Sequence, residues 1–456
     1  MYVLALFALY PDIIAHGRLV TTDIAAAFGY IITMYYFDKA LTQKTFKYIV
    51  YAAIAFGVAQ LLKFSAFLLF GALLFLVFIR AYIERHDGFS KQLWQYLKAY
   101  FLVCILSIIV VWIAYIPFVW NTPTGIEHEV IDRNITMEPS REWIRNGLHV
   151  LENNVVTRAL GHYLLGVALV IYRVEGGNAT FLMGQIAEKS IQWFFPIAWF
   201  YKTPLTIIAL LSMAFGVIAI KRFGSRSEAS RVWALLIPFA IYWAFTLKGS
   251  LNIGIRHLIP TIPFVLMLIG YAIYRINMKP WKWGVLLLLL GFQIYHTLSY
   301  YPGFIGYFNN LVPRDERHNY LVDSSLDWGQ DLLRLKQYIE ANDIKEIKID
   351  YFGGSVPSYY IPQSTPWHSQ YGPTTGWLAI SATFYQSSKL YGPKEGKWSY
   401  QWLDDHEPKA IIGGSILVFN ISEEDLERRP PVSPYPITFI DSPAKTQEEK
   451  ERKIEL

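Results

Sequence analysis

"IIAHGRLVTTDIAAAFGYIITMYYF", residues 13–37, decides the fold. Over roughly 22–38 it is an apolar run near the lower limit of what a membrane-crossing helix needs, about 17 residues. Just before that run stand His16 and Arg18, and Asp23 opens it. An imidazole, a guanidinium and a carboxylate at the edge of hydrocarbon are expensive there, and such groups mark function more often than fold.

The rest of the chain repeats this pattern. Its 456 residues are 53% hydrophobic and only 17% charged, with mean hydropathy +0.27. Soluble domains carry about 25% charged residues. Eight stretches read as full spans: roughly 22–38, 46–62, 64–81, 99–118, 203–221, 232–248, 257–275 and 281–298. Residues 1–10, "MYVLALFALY", are too short to cross and lack the basic start of a signal peptide. They read as the stump of a ninth helix, with the expectation that the natural N-terminus lies further upstream.

Basic residues concentrate in alternate loops. Lys39, Lys44 and Lys47 form one group, and Arg80, Arg85, Lys91 and Lys98 the next. Lys221, Arg222, Arg226 and Arg231 follow, then Arg275, Lys279 and Lys282. The positive-inside rule makes these loops cytoplasmic. They also explain the net charge of +5, so no nucleic-acid partner is expected. The expected localisation is a multi-pass protein of the plasma (inner) membrane. The single cysteine, Cys104, lies in an apolar run and supports neither an intrachain disulfide nor a Cys/His metal motif.

The opposite loops, which face outward on this reading, carry cations at helix ends. Lys63 lies in "LLKFSAF", Lys202 in "FYKTPL", and Arg256 with His257 in "GIRHLIP". A lone basic residue there often only snorkels to the interface. Several on one face suit an anion at the membrane surface, and a lipid phosphate fits best. Asp23 reads either as a helix cap beside Thr21 and Thr22 or as a base, a metal ligand or an acceptor-positioning group.

Segment 119–202 reads as outer helices lying in the interface, because the apolar part between His162 and Arg173 is too short to cross. Asn134, Asn178 and Asn420 begin glycosylation tripeptides, which are common by chance. Residues 299–441 read as a small α/β domain. Strands are expected in "KEIKIDYFGG", "GWLAISATF" and "PKAIIGGSILVFNI". An amphipathic helix is expected over "DWGQDLLRLKQYIEAND", with Leu332, Leu335, Tyr338 and Ile339 on its apolar face. Asp323, Asp327 and Asp331 would share one helix face; they lack the EF-hand pattern, and helix capping is the expected use. Residues 442–456 read as a charged, disordered tail.

The segments "AHGRLVTTD", "LLKFSAFLL", "FFPIAWFYKTPL", "GIRHLIPTIPF", "DSSLDWGQDL" and "GWLAISATF" lie in order along nearly the whole chain. Together they resemble membrane glycosyltransferases of the protein O-mannosyltransferase type, family 39 of the GT-C class. The likeness is to a bacterial branch with a C-terminal extracytoplasmic domain. The resemblance implies a mainly α, polytopic GT-C-like bundle over 1–298. It implies inverting transfer of a mannose-like hexose from a polyprenyl-phosphate donor to a protein, lipid or glycan acceptor on the outer face. No covalently bound cofactor is implied, a divalent metal is an open option, and no residue is assigned as a metal ligand. Asp23 and Arg18 match the family's second acidic motif. Lys63, Arg256, His257 and Lys202 fall where the donor phosphate would lie, with His16, His162 and Arg173 as further candidates. The family's first acidic loop precedes any segment matched here, which implies impaired activity for this polypeptide alone. A flippase for a polyprenyl-linked saccharide and a non-catalytic scaffold are the alternatives.

Overall fold

The computed structural model describes residues 1–85, 88–135, 139–221, 223–276, 279–429 and 431. Arg222 and the 442–456 tail, like the last residues of the 299–441 domain, lie outside them.

The chain is mainly helical. Two short helices, α1 (Tyr2–Ala8) and α2 (Pro11–Gly17), precede α3 (Thr22–Gln43), α4 (Phe46–Leu62), α5 (Leu68–Ile83) and α6 (Phe89–Val119). Then come α7 (Thr124–Asn134), α8 (Glu142–Glu152), α9 (Val155–Gly176) and a hairpin of β1 (Thr180–Leu182) and β2 (Gln185–Ala187). The bundle finishes with α10 (Phe194–Lys202), α11 (Leu205–Ile220), α12 (Arg226–Lys248), α13 (Ile262–Arg275) and α14 (Pro280–Leu298). Each of the eight expected spans is a helix. Among the described residues five helical segments are long and apolar enough to cross a membrane, or up to seven if each of two bent pairs is one span. The count falls below eight partly because α4 has 17 residues and is short for a crossing. Small residues let the helices pack closely: a Cβ on Gly29 of α3 would lie 2.9 Å from the Ala59 Cβ of α4.

Contacts fix the alternation. At one end Arg80 of α5 bonds Asp38 of α3, Ser230 of α12 bonds Glu84, and Arg275 of α13 bonds Glu228 of α12. At the other end Lys63, which caps α4, reaches Asp23 in the first turn of α3. The lysine- and arginine-rich loops gather at the first end.

Helix α9 has 22 residues and passes the length and hydropathy test for a span, which the sequence reading of 119–202 did not expect. Its neighbours show how it lies. Near its start Arg158 donates to the Thr122 carbonyl beyond α6. At its middle Tyr163 bonds Gln60 of α4. At its end the Val174 carbonyl accepts from Ser250, beyond α12. It therefore runs across the ends of α6, α4 and α12 in turn.

The C-terminal region is α/β. A five-stranded mixed sheet has the order β4-β3-β5-β7-β6, with β3 (Ile347–Asp350), β4 (Ser364–Pro366), β5 (Gly376–Ser381), β6 (Ala410–Ile412) and β7 (Ile416–Ile421). Strand β3 is parallel to β4 and β5, and β7 is antiparallel to β5 and β6. Strand alternation sends Ala379 and Val418 to one face, with Leu332, Leu335 and Ile339 of α15 (Leu332–Ala341). It sends Leu378, Ile380, Leu417 and Phe419 to the other, where Tyr385 of α17 (Ala382–Glu395) packs. Two short helices, α16 (Pro357–Tyr360) and α18 (Glu423–Arg428), complete the region.

The expected helix over 327–343 is shorter at both ends. Asp331 is its N-cap, Asp327 sits in the preceding loop, and Asp323 opens a separate 3-10 turn with φ of +53°. The three aspartates therefore share no helix face. Gly329, at φ +73°, lies between Asp327 and Asp331 in a backbone region that favours glycine.

Candidate functional site

The site is built where two helices break. Helix α2 meets α3 at 115°, and α10 meets α11 at 113°. The first bend brings His16 of α2 within electrostatic reach of Asp23 in the first turn of α3, with Asp12 on the same short helix. The second places Lys202 at the last turn of α10, beside them. A third break, the 3-10 turn Ile255–Thr261 before α13, adds Arg256 and His257.

These groups converge. Asp23 is 2% exposed, pairs with Lys63 through Oδ1, and has Oδ2 3.9 Å from Arg256. Asp12 is 1% exposed and lies 3.8 Å from the Lys202 ammonium. His16 sits within electrostatic reach of Asp23, Lys202, Arg256 and Lys63, and His257 within reach of Lys63, Arg256 and Asp23.

Many of their polar atoms lack partners. Both carboxylate oxygens of Asp12, both ring nitrogens of His16, Asp23 Oδ2, Ser65 Oγ, Arg256 Nε and His257 Nε2 are buried without a hydrogen bond among the described residues. Buried polar groups are ordinarily satisfied, so each exception needs an explanation, and a ligand is one.

The cluster opens onto a cavity of about 220 Å³. Lys63, His257 and Arg173 stand on its wall, while Phe67, Leu68, Val174 and Phe245 make it largely apolar. Its shape in chemical terms is a charged end and a greasy channel.

The C-terminal region closes over the cluster. Ser324 Oγ donates to the Ile253 carbonyl at 2.7 Å, and Ile255 N–H donates to Ser325 Oγ at 3.1 Å. Gly254 permits this approach, because a Cβ there would stand 2.1 Å from Ser324 Oγ. Trp328 then lies under the Arg256 guanidinium, 4.5 Å from its ring centroid, and edge-on to His16 at 5.8 Å.

Of the residues singled out in the sequence, Asp23, Lys63, Arg256, His257, Lys202 and His16 come together, and Arg173 reaches the cavity. Lys202 is fully buried and donates to the carbonyls of Ile305 and Ser325, so it ties the bundle to the C-terminal region. Arg18 is exposed at the bend, with no ion pair or hydrogen bond among the described residues. His162 pairs with Glu127 of α7 at 2.9 Å, apart from the cluster. Asp12 and Trp328 were not singled out. Asp12 follows a proline at a helix start, where an acidic residue is routine, and its partner lies 190 positions away.

No family model, no curated protein and no solved structure matches this chain.

Proposed function

We propose that the chain is a membrane glycosyltransferase that takes a hexose from a polyprenyl-phosphate donor, with the cluster facing the outside of the plasma membrane. The observation that supports this reading is the convergence of carboxylates, cations and imidazoles, several of their buried atoms without a hydrogen bond among the described residues, beside an apolar cavity. A lipid-linked phosphate needs both surfaces: cations for the head and hydrocarbon for the chain. The basic loops at the far end support that orientation.

In this mechanism Lys63, Arg256 and His257 hold the donor phosphate. The acceptor hydroxyl oxygen attacks the anomeric carbon from the side opposite the phosphate. The C–O bond to phosphate breaks with its electron pair, and the cations stabilise the departing anion. Engaging the phosphate draws Lys63 and Arg256 away from Asp23, whose free Oδ2 then takes the hydroxyl proton. Asp12 and Lys202 set the position of α2 against α10, and Trp328 closes the cluster from above.

Binding of a labelled polyprenyl-phosphate hexose to the purified protein tests the phosphate assignment apart from turnover. Lys63→Ala should weaken it about 10- to 100-fold, the size of one charge-assisted hydrogen bond. Asp23→Asn should keep donor binding and lower transfer to an acceptor by about 10²- to 10⁴-fold. Donor binding that Lys63→Ala leaves unchanged would overturn the reading.

The two sharp helix breaks favour a second reading, a carrier for the same lipid-linked saccharide, since broken helices line transporter sites. Movement of the donor across vesicles without sugar transfer would select it.

A further inference from the structure

Away from this site, α7 and α8 hold a second cluster of a different kind. His128 and His149 stack with ring centroids 4.1 Å apart and planes inclined by 29°. Glu152 lies at one edge of the stack: its Oε1 is 2.6 Å from His128 Nδ1 and 3.1 Å from His149 Nδ1. Asp132 lies at the opposite edge, 3.5 Å from His128 Nε2 and 2.9 Å from His149 Nε2. The Glu152 side chain is only 8% exposed, and its other oxygen, Oε2, is buried with no hydrogen-bond partner among the described residues.

The arrangement orders the nitrogens. Asp132 Oδ1 is in hydrogen-bond contact with His149 Nε2 and its Oδ2 lies near His128 Nε2, so one carboxylate stands at the outer edge of both rings while both Nδ1 atoms face Glu152 Oε1. A carboxylate that takes the outer N–H of a metal-binding histidine is the usual means of fixing the tautomer. Two imidazole nitrogens and a carboxylate oxygen form a ligand set that suits zinc and neighbouring late first-row ions rather than magnesium or calcium. The candidate ligand atoms lie within 4.8 Å of one another. Tetrahedral zinc, with ligands at about 2.0–2.1 Å, sets them about 3.3 Å apart. The two Glu152 contacts, at 2.6 and 3.1 Å, would each lengthen by less than an ångström to reach that spacing. Metal binding at such a site displaces the protons its ligand atoms carry.

We propose that His128 Nδ1, His149 Nδ1 and Glu152 form a zinc-type site, with Asp132 orienting both rings. The site joins α7 to α8. Helix α9 begins at Val155, directly after Glu152, Asn153 and Asn154, and ends where Val170, Arg173 and Val174 line the cavity. The metal therefore fixes the root of the helix that forms one wall of that cavity. The fourth position is open to water or another small ligand.

The test uses untagged full-length protein in detergent, dialysed against micromolar zinc chloride and then against metal-free buffer. One zinc per chain is expected to remain by elemental analysis, with magnesium not competing. His149→Ala and Glu152→Gln should each lose it; the second is nearly isosteric and keeps the fold testable if the first unfolds. Asp132→Asn should still bind, about 10- to 100-fold more weakly. Zinc should raise the melting temperature of the native chain and not that of Glu152→Gln. No retained zinc, or equal retention by Glu152→Gln, would refute the site.

Discussion

At the basic end of the bundle, Arg80 is 3% exposed and has every neighbour it needs: Asp38, Glu84 and the Thr42 hydroxyl. Glu84 in turn accepts from Tyr96 and Ser230. At the other end Asp12, His16 and Asp23 are buried as deeply, yet keep five ring or carboxylate atoms without a hydrogen bond. Both ends bear the desolvation of charge. Both use it to join helices, but only the second leaves buried polar atoms without partners among the described residues, as a ligand site would. Burial alone does not separate structural from functional charge; the completeness of the hydrogen bonding does.

Substitutions at the two ends break this comparison first. Removing one partner of a satisfied buried ion pair strands the other, at a cost of about 3 kcal/mol or more. Arg80→Met should therefore lower stability by that amount, read by denaturant or thermal unfolding in detergent. Asp23→Asn should change stability by less than about 1 kcal/mol, because an amide oxygen can still accept from Lys63 and Oδ2 has no hydrogen bond to lose. Equal losses at the two positions would erase the distinction.

A smaller effect is expected at the seam that closes the unsatisfied end. In Gly254→Ala a methyl group meets Ser324 Oγ, so the bonds from Ser324 and to Ser325 must give way. Overpacking of this kind costs about 1–3 kcal/mol. The displaced segment carries Trp328, so protease cleavage around residues 323–330 should speed up in the variant. An unchanged cleavage rate would mean that the seam does not hold the cover in place.

Much of the bundle was legible in the sequence, because hydrocarbon length and helix period are written locally. The eight helices, the strands β3, β5 and β7, and the apolar face of α15 all follow from such patterns. The missed parts depend on partners far along the chain. The α2–α3 bend and Asp12 become meaningful only once Lys202 arrives from α10. Strand β4 has three residues, of which Thr365 and Pro366 are exposed, so no alternating pattern betrays it. The α7–α8 cluster had a local signal in the spacings His128–Asp132 and His149–Glu152, each one helical turn. Two half-sites on separate helices read as ordinary surface pairs until the fold stacks the rings.

A pH dependence sharpens the comparison from an intermediate case. Asp327 is fully buried next to the site and accepts long hydrogen bonds from the Gly329 and Thr383 amides at 3.3 and 3.4 Å. Burial raises its carboxyl to about 7, and the two amides only partly offset this. In the unfolded chain it titrates near 3.9. Between these values the folded state binds the extra proton, so stability is highest at the acidic end and falls as pH rises from about 4 to about 7. Asp327→Asn cannot lose that proton. Its melting temperature should show a flatter dependence over this range, and it should exceed the native chain above pH 7. A native slope of the opposite sign at this residue would mean that Asp327 is held as a carboxylate, and would place it with the satisfied charges of the basic end.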